Sequence, residues 1–138
     1  MTARAWAVLA LGIDLAATVL FVLVGRGSHN ATSSILGLLT TWWPFAVALG
    51  VGWLVTRAWK RPFGIRWPGV GIWIVTVAGG MLLRTASGQG TAVPFVLVAT
   101  ISVAVLLLGW RAIFALVARR SVKRAASREV PRKTERYP

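Results

Sequence analysis

The chain has 138 residues, 57% of them hydrophobic, with a mean hydropathy of +0.71, too apolar for a soluble domain of this size, whose surface would be largely polar. It carries 16 lysines and arginines against three acids, Asp14, Glu129 and Glu135, one histidine and no cysteine, which excludes disulfides, thiol catalysis and thiolate metal sites. A net charge of +13 would ordinarily point to nucleic acid. Half of the basic residues lie at or after Arg119, however, and most of the others flank apolar runs. That is the distribution of loops facing a membrane leaflet rich in anionic lipid, so bilayer headgroups and not nucleic acid are the expected partner.

The first apolar run, Ala5–Val24, follows Arg4 and superficially resembles a signal peptide. It contains Asp14 and ends in Gly25-Arg26-Gly27 with no A-x-A site, and it reads as a retained membrane helix. Asp14 lies ten residues after Arg4, about 15 Å along a helix, which places it near the bilayer midplane. A charge there costs at least ~2.5–3.5 kcal/mol, so Asp14 is expected to be protonated, paired or facing a wet cavity. Thr18 lies one turn further on the same face and Ala7 and Ala10 on the near side, a small and polar stripe expected to face other helices.

The outer loop that follows holds Arg26 and His29, a pair able to hold an anionic headgroup or another anion, with His29 also able to respond to pH. The second run, Ile35–Val55, carries Pro44, which cannot donate to the helix ladder; it frees a carbonyl near Thr40 and predicts a kink at about the depth of Asp14. The next loop is rich in charge, with Arg57, Lys60, Arg61 and Arg66. The third run, Gly69–Leu83, is shorter, with Trp67 and Arg84 at its two interfaces. The fourth, Val93–Val117, leads into a basic segment from Arg119 that has no apolar periodicity and is expected to fray into disorder after one more turn. Trp6, Trp42, Trp59, Trp67 and Trp110 fall near predicted helix ends, as an aromatic belt requires; Trp43, Trp53 and Trp73 are expected deeper, as packing residues.

These segments predict an all-α, polytopic domain over residues 1–118, a bundle of four transmembrane helices at about 5–24, 35–56, 69–85 and 93–118, with a basic tail over 119–138. Loop charge alternates poor, rich, poor, rich, which predicts a multi-pass protein of the cytoplasmic membrane with both termini inside. Residue pairs at four-residue spacing, Ala46 and Gly50, Ala48 and Gly52, Gly12 and Ala16, Thr76 and Gly80, are expected to close the bundle, with a homodimer seam as the other use. Each half of the chain also runs from an arginine through Pro-Phe to Gly-Trp and a basic cluster: Arg26, Pro44-Phe45, Gly52-Trp53 and Lys60-Arg61, then Arg84, Pro94-Phe95, Gly109-Trp110 and Arg119-Arg120. The arginine-to-tryptophan spacings agree within one residue, whereas the Pro-Phe pairs differ by eight. A parallel repeat would give a pseudo-two-fold bundle.

Two arginines can pair with Asp14. Arg111, eight residues before Arg119, can be buried by up to about 12 Å and is favoured on depth; Arg84 approaches from the outer end of the third helix. Such a pair would fix helix register, and the competing role for Asp14 is a proton- or ion-responsive carboxylate. No nucleotide loop, nucleophile elbow, metal-ligand set or cofactor motif is present.

Taken together, Asp14, Phe21, Gly25-Arg26 with Ser28-His29, Trp43-Pro44-Phe45, Gly52-Trp53, Gly80-Met81-Leu82-Leu83-Arg84 and Gly109-Trp110-Arg111 resemble a family of small prokaryotic membrane proteins, the domain of unknown function 3054, over residues about 8 to 112. The resemblance implies a compact four-helix membrane domain and supplies no activity. It raises Asp14, Arg26, His29, Arg84 and Arg111 as site candidates. The expectation is a non-enzymatic membrane protein that moves or senses an ion, a proton or a small solute around Asp14, with Thr18 and the Pro44 kink nearby. The alternative is a structural or assembly subunit that binds membrane-protein partners or anionic lipid.

Overall fold

The computed structural model describes residues 1–27 and 34–128. Four helices account for most of them: α1 (Ala3–Gly27), α2 (Ile35–Thr56), α3 (Gly71–Ala86) and α4 (Val93–Arg128). Each apolar run of the sequence has become a helix, because in a chain this apolar the helix satisfies every backbone donor and acceptor within one segment. All four, α3 together with the segment just before it, are long and apolar enough to cross a membrane. They pack in a ring, α1 against α2 and α4, α3 against α2 and α4, with α1 diagonal to α3. This is an up-and-down four-helix arrangement.

The α2–α3 interface is the most extensive, and small residues make it so. A Cβ added to Gly52 would meet the backbone of Ile72 at 3.3 Å, one on Gly79 would meet Ala48 at 3.0 Å, and one on Gly80 would press into the Phe45 ring at 2.6 Å. Ala48, Gly52, Thr76 and Gly80 are all buried, so two of the four small-residue pairs lie at this seam. Gly12 and Ala16 instead point outward from the bundle, and Gly50 has no neighbour near its Cα hydrogens. Four-residue spacing alone does not say which face a small residue occupies.

At the Arg26 end, Ser34 caps α2 by accepting the Gly37 N–H at 3.0 Å. At the other end, α2 stops at Arg57 in the left-handed conformation (φ 51, ψ 47). The chain then makes a short 3-10 turn, Ala58–Lys60, and a broken helical segment, Ile65–Val70, interrupted at Trp67 (φ −141, ψ 126) before a cis Trp67–Pro68 bond. The third span therefore begins at Ile65, earlier than expected. Gly64 sits where a Cβ would overlap the Trp67 carbonyl, and Gly69 where one would meet the Gly64 carbonyl at 2.7 Å, so this connection is folded tightly against the bundle.

α2 continues through Pro44 as one helix, and the hydroxyls of Thr40 and Thr41 donate to the carbonyls of Leu36 and Gly37 in the turn before. Two expectations need correction. α4 does not fray after residue 118 but continues to Arg128; nothing between Val93 and Arg128 breaks a helix except Pro94 in its first turn, where proline is tolerated. The tail beyond Arg128 and the outer-loop His29 lie outside the described residues. Finally, Trp42 and Trp110 are half-buried, with their indole N–H groups donating into the bundle. Both turn inward, while Trp43 is 37% exposed and is not the deep packing residue expected.

The two chain halves meet through their shared motifs. Phe45 and Phe95 lie 6.5 Å apart, Arg26 and Arg84 line one groove, and Trp53 and Trp110 bind one carboxylate.

Candidate functional site

Asp14 has no exposed surface, and neither does the Arg111 side chain. The two form a bidentate pair across α1 and α4. Arg111 Nη1 donates to Asp14 Oδ1 and Nη2 to Oδ2, both at 2.7 Å, the parallel fork that a planar guanidinium makes with a carboxylate. Two indoles complete the shell. Trp53 Nε1 donates to Oδ2 at 2.9 Å and Trp110 Nε1 to Oδ1 at 2.8 Å. The carboxylate thus accepts four hydrogen bonds, two per oxygen, which uses its acceptor capacity.

Arg111 is equally satisfied. Its Nε donates to the Pro62 carbonyl at 3.1 Å and its Nη1 also to Leu107 O at 2.7 Å. Its guanidinium lies 4.4 Å over the Trp110 ring. The Pro62 contact explains why the α2–α3 connection folds back: a backbone carbonyl of that connection caps the buried cation. Phe63 stacks on Phe114 at 4.3 Å and meets Trp6 and Trp110 edge-on at 5.6 and 5.8 Å. The node is therefore covered by an aromatic plug.

These contacts separate Asp14 from Pro44. Counting along the helices places the two at similar depth, whereas Trp53, which bonds Asp14, lies nine residues beyond Pro44 in α2. The node lies on the Arg57 side of Pro44. Pro44 is buried further along, next to Phe45, whose ring packs on Phe21, about two turns from Asp14 along α1. Thr18 is buried but does not touch Asp14; its hydroxyl donates to Leu15 O and accepts the Trp42 indole N–H at 2.9 Å. Thr18 thus ties α1 to α2 one turn from the node.

Arg84 does not approach Asp14. It lies at the far end of the bundle, half-buried, with its guanidinium 4.4 Å over the Phe95 ring and Nη1 donating to Gln89 Oε1 at 3.0 Å. Its Nε is buried without a hydrogen-bond partner. Arg26, from α1, donates through Nη1 to Gly37 O and to Thr41 Oγ1, each at 3.1 Å. Both arginines, with Ser34, Thr40, Thr41 and Gln89, line a groove of about 540 Å³. Among the described residues, no group of three or more His, Cys, Asp or Glu side chains gathers to hold a metal.

Sequence reasoning missed the two indole donors, the Pro62 carbonyl and the pairing of Arg26 with Arg84. The first had a signal. A buried tryptophan N–H needs an acceptor, and the sequence offers one acid before residue 129 to two Gly-Trp pairs. The Pro62 contact has none, because it depends on how a loop folds back.

No curated protein and no solved structure matches the chain. Residues 11–114, which span both the Asp14 node and the Arg26–Arg84 groove, match the family described as protein of unknown function, DUF3054. The chain belongs to the DUF3054 family, and like its sequence the family assignment makes it a small membrane protein without assigning an activity.

Proposed function

We propose that this is a non-catalytic, multi-pass membrane protein in which Asp14 is a structural lock and the functional surfaces are the charged ends of the bundle, where lipid or a membrane-protein partner binds. The observation that carries this reading is the saturation of Asp14. A carboxylate that relays a proton or receives an ion needs a free lone pair or a wet approach. This one has no exposed surface, and all four of its acceptor positions are taken by groups fixed on α2 and α4. The same saturation argues against enzymatic acid-base work by the sole acid among the described residues.

Charge distribution supports an orientation with the Arg57 end and the helical extension of α4 in the cytoplasm. Arg57, Lys60, Arg61 and Arg66 gather at one end, and Arg119, Arg120, Lys123, Arg124 and Arg128 follow on the strand of helix that leaves it. Anionic headgroups of the inner leaflet are the natural counter-charge.

The competing reading, transport or sensing centred on Asp14, keeps one argument: an acid inside a membrane helix more often serves function than packing. Flux measurements separate the two. Vesicles holding the purified protein are expected to leak protons and small cations no faster than empty ones, and Asp14→Asn is expected to lower thermal stability without altering flux. Flux in the native protein that Asp14→Asn abolishes, with the fold intact, would overturn the lock.

A further inference from the structure

The groove at the Arg26 end does not stand alone. Beside it lies a smaller cavity of about 220 Å³, which Arg26, Thr41 and Arg84 line together with Phe21, Gly25 and Phe95. Phe21 and Gly25 also line a third groove of about 370 Å³ between α1 and α4, with aliphatic residues including Leu20, Val98, Ile101 and Val105. Leu20, Val98, Ile101 and Val105 are exposed on the bundle's outer face, where acyl chains lie in a bilayer. A cationic recess and an apolar groove along the helices thus flank one small cavity and share lining residues with it.

From this we infer a binding site for one anionic phospholipid: its phosphate held between Arg26 and Arg84, and an acyl chain laid in the α1–α4 groove. The charge logic is one-sided. From Leu15 to Arg128 the sequence has no aspartate or glutamate, and the only earlier acid is locked on Arg111. Two guanidiniums thus face one recess whose described lining holds no carboxylate, in a low-dielectric setting where an anion gains most. Arg84 keeps donor capacity, since its Nε–H has no acceptor, and a planar fork suits phosphate. Ser34 adds a hydroxyl at the rim, whereas those of Thr40 and Thr41 already donate to Leu36 O and Gly37 O. A lone soluble anion would use the recess but leave the groove unexplained; the adjacency of the two favours a lipid.

This inference deepens the reading of a lipid- or partner-binding protein, and with the orientation proposed above it places the lipid in the outer leaflet. The test is lipid retention read by native mass spectrometry, on protein exchanged from detergent into mixed micelles of phosphatidylglycerol and phosphatidylcholine. The native protein is expected to keep one phosphatidylglycerol. Arg26→Gln with Arg84→Gln is expected to reduce retention about tenfold or more, the loss expected when charge-assisted hydrogen bonds go. Gly25→Leu, at a position where a Cβ meets nothing within 4 Å, fills the tail groove and is expected to weaken retention with the arginines intact. Gly12→Ala, on the outward face with nothing within 4 Å of the added Cβ, is expected to leave it unchanged.

Equal retention by the double arginine variant would overturn the site. Inorganic phosphate that competes as well as phosphatidylglycerol, with no effect of Gly25→Leu, would overturn the lipid in favour of a soluble anion. Should the double variant unfold, Gly25→Leu and Arg84→Lys still decide the matter. Flux through Asp14 would sink the earlier reading while leaving lipid retention untouched, so the two can fail separately.

Discussion

Trp53 on α2 and Trp110 on α4 hold different oxygens of the same carboxylate, at 2.9 Å and 2.8 Å. Through Asp14 they join three helices at one point, and through Arg111 and the Pro62 carbonyl they also fix the α2–α3 connection. Trp53→Phe or Trp110→Phe keeps the aromatic volume and removes one N–H to a charged acceptor. Each is expected to cost about 1.5–3 kcal/mol. Because both act on one group, the double variant should cost less or more than the sum, with a coupling of ~0.5–3 kcal/mol. Unfolding in mixed micelles followed by tryptophan fluorescence and circular dichroism measures this; strict additivity would mean that the two indoles do not share a network.

The ion pair itself predicts a sharper pattern. Asp14→Asn leaves the Arg111 cation buried without its counter-charge, and Arg111→Gln leaves the carboxylate so. Either is expected to destabilise by ~3–5 kcal/mol, and combining them should recover part of that loss. A combined variant as unstable as the two losses added would show that the pair does not act as a unit.

Gly80 offers a test of the α2–α3 seam that is independent of charge. Its Cα faces the Phe45 ring so closely that a Cβ would come within 2.6 Å of it. Gly80→Ala gains helix propensity but overpacks, with an expected net loss of ~1–3 kcal/mol. Gly12→Ala, on the outward face with nothing within 4 Å, is expected to be neutral or slightly stabilising. Equal thermal shifts for the two would contradict the seam.

How far the sequence reveals this arrangement can be followed residue by residue. Hydropathy locates all four helices because a membrane span must be apolar along its whole length, and no tertiary contact can change that. Depth along a helix selects Arg111 over Arg84 as the neighbour of Asp14, since only α4 brings an arginine to that end. What failed is what depends on rotation and folding back. Trp42 and Trp110 sit near helix ends in the sequence, yet their indoles face inward because Thr18 and Asp14 are there to accept them. Pro44 and Asp14 lie at similar distances into their helices but not together in space, since Phe45 packs on Phe21, about two turns along α1 from Asp14. Arg26 and Arg84 are far apart in sequence, and only the ring order of the helices puts them in one groove.

The helical extension of α4 carries a further expectation about lipid. Thirty-six residues make a helix of about 54 Å, far longer than the ~30 Å hydrocarbon core, so its last third projects from the membrane. At about 100° per residue, Arg119, Arg120, Lys123, Arg124 and Arg128 fall within one half of its circumference. Replacing Arg119, Arg120, Lys123 and Arg124 by Gln is expected to weaken attraction to anionic bilayers by about 1 kcal/mol per charge. A synthetic peptide spanning Arg119 to Arg128, binding vesicles with and without phosphatidylserine, reads this directly. Equal binding to both vesicles would remove lipid as the target of the extension.

Orientation can be decided without removing any native thiol, because the chain has no cysteine. Ser87 follows α3 at the Arg84 end and is exposed, while Ala125 is exposed on the extension of α4 and Lys60 on the connection after α2. Single substitutions Ser87→Cys, Lys60→Cys and Ala125→Cys place one thiol on each. A maleimide that cannot cross the bilayer, added to intact cells, is expected to label Ser87→Cys alone. In inverted vesicles it should label Lys60→Cys and Ala125→Cys and spare Ser87→Cys. The physical basis is that nine basic residues on one side would have to cross against the leaflet charge and the membrane potential to reverse the bundle. Labelling of Ala125→Cys in intact cells would invert the orientation, and with it the leaflet from which the Arg26–Arg84 groove draws its lipid. Labelling of Lys60→Cys and Ala125→Cys from opposite sides would instead break the four-span topology, since α3 and α4 together return the chain to the side it left.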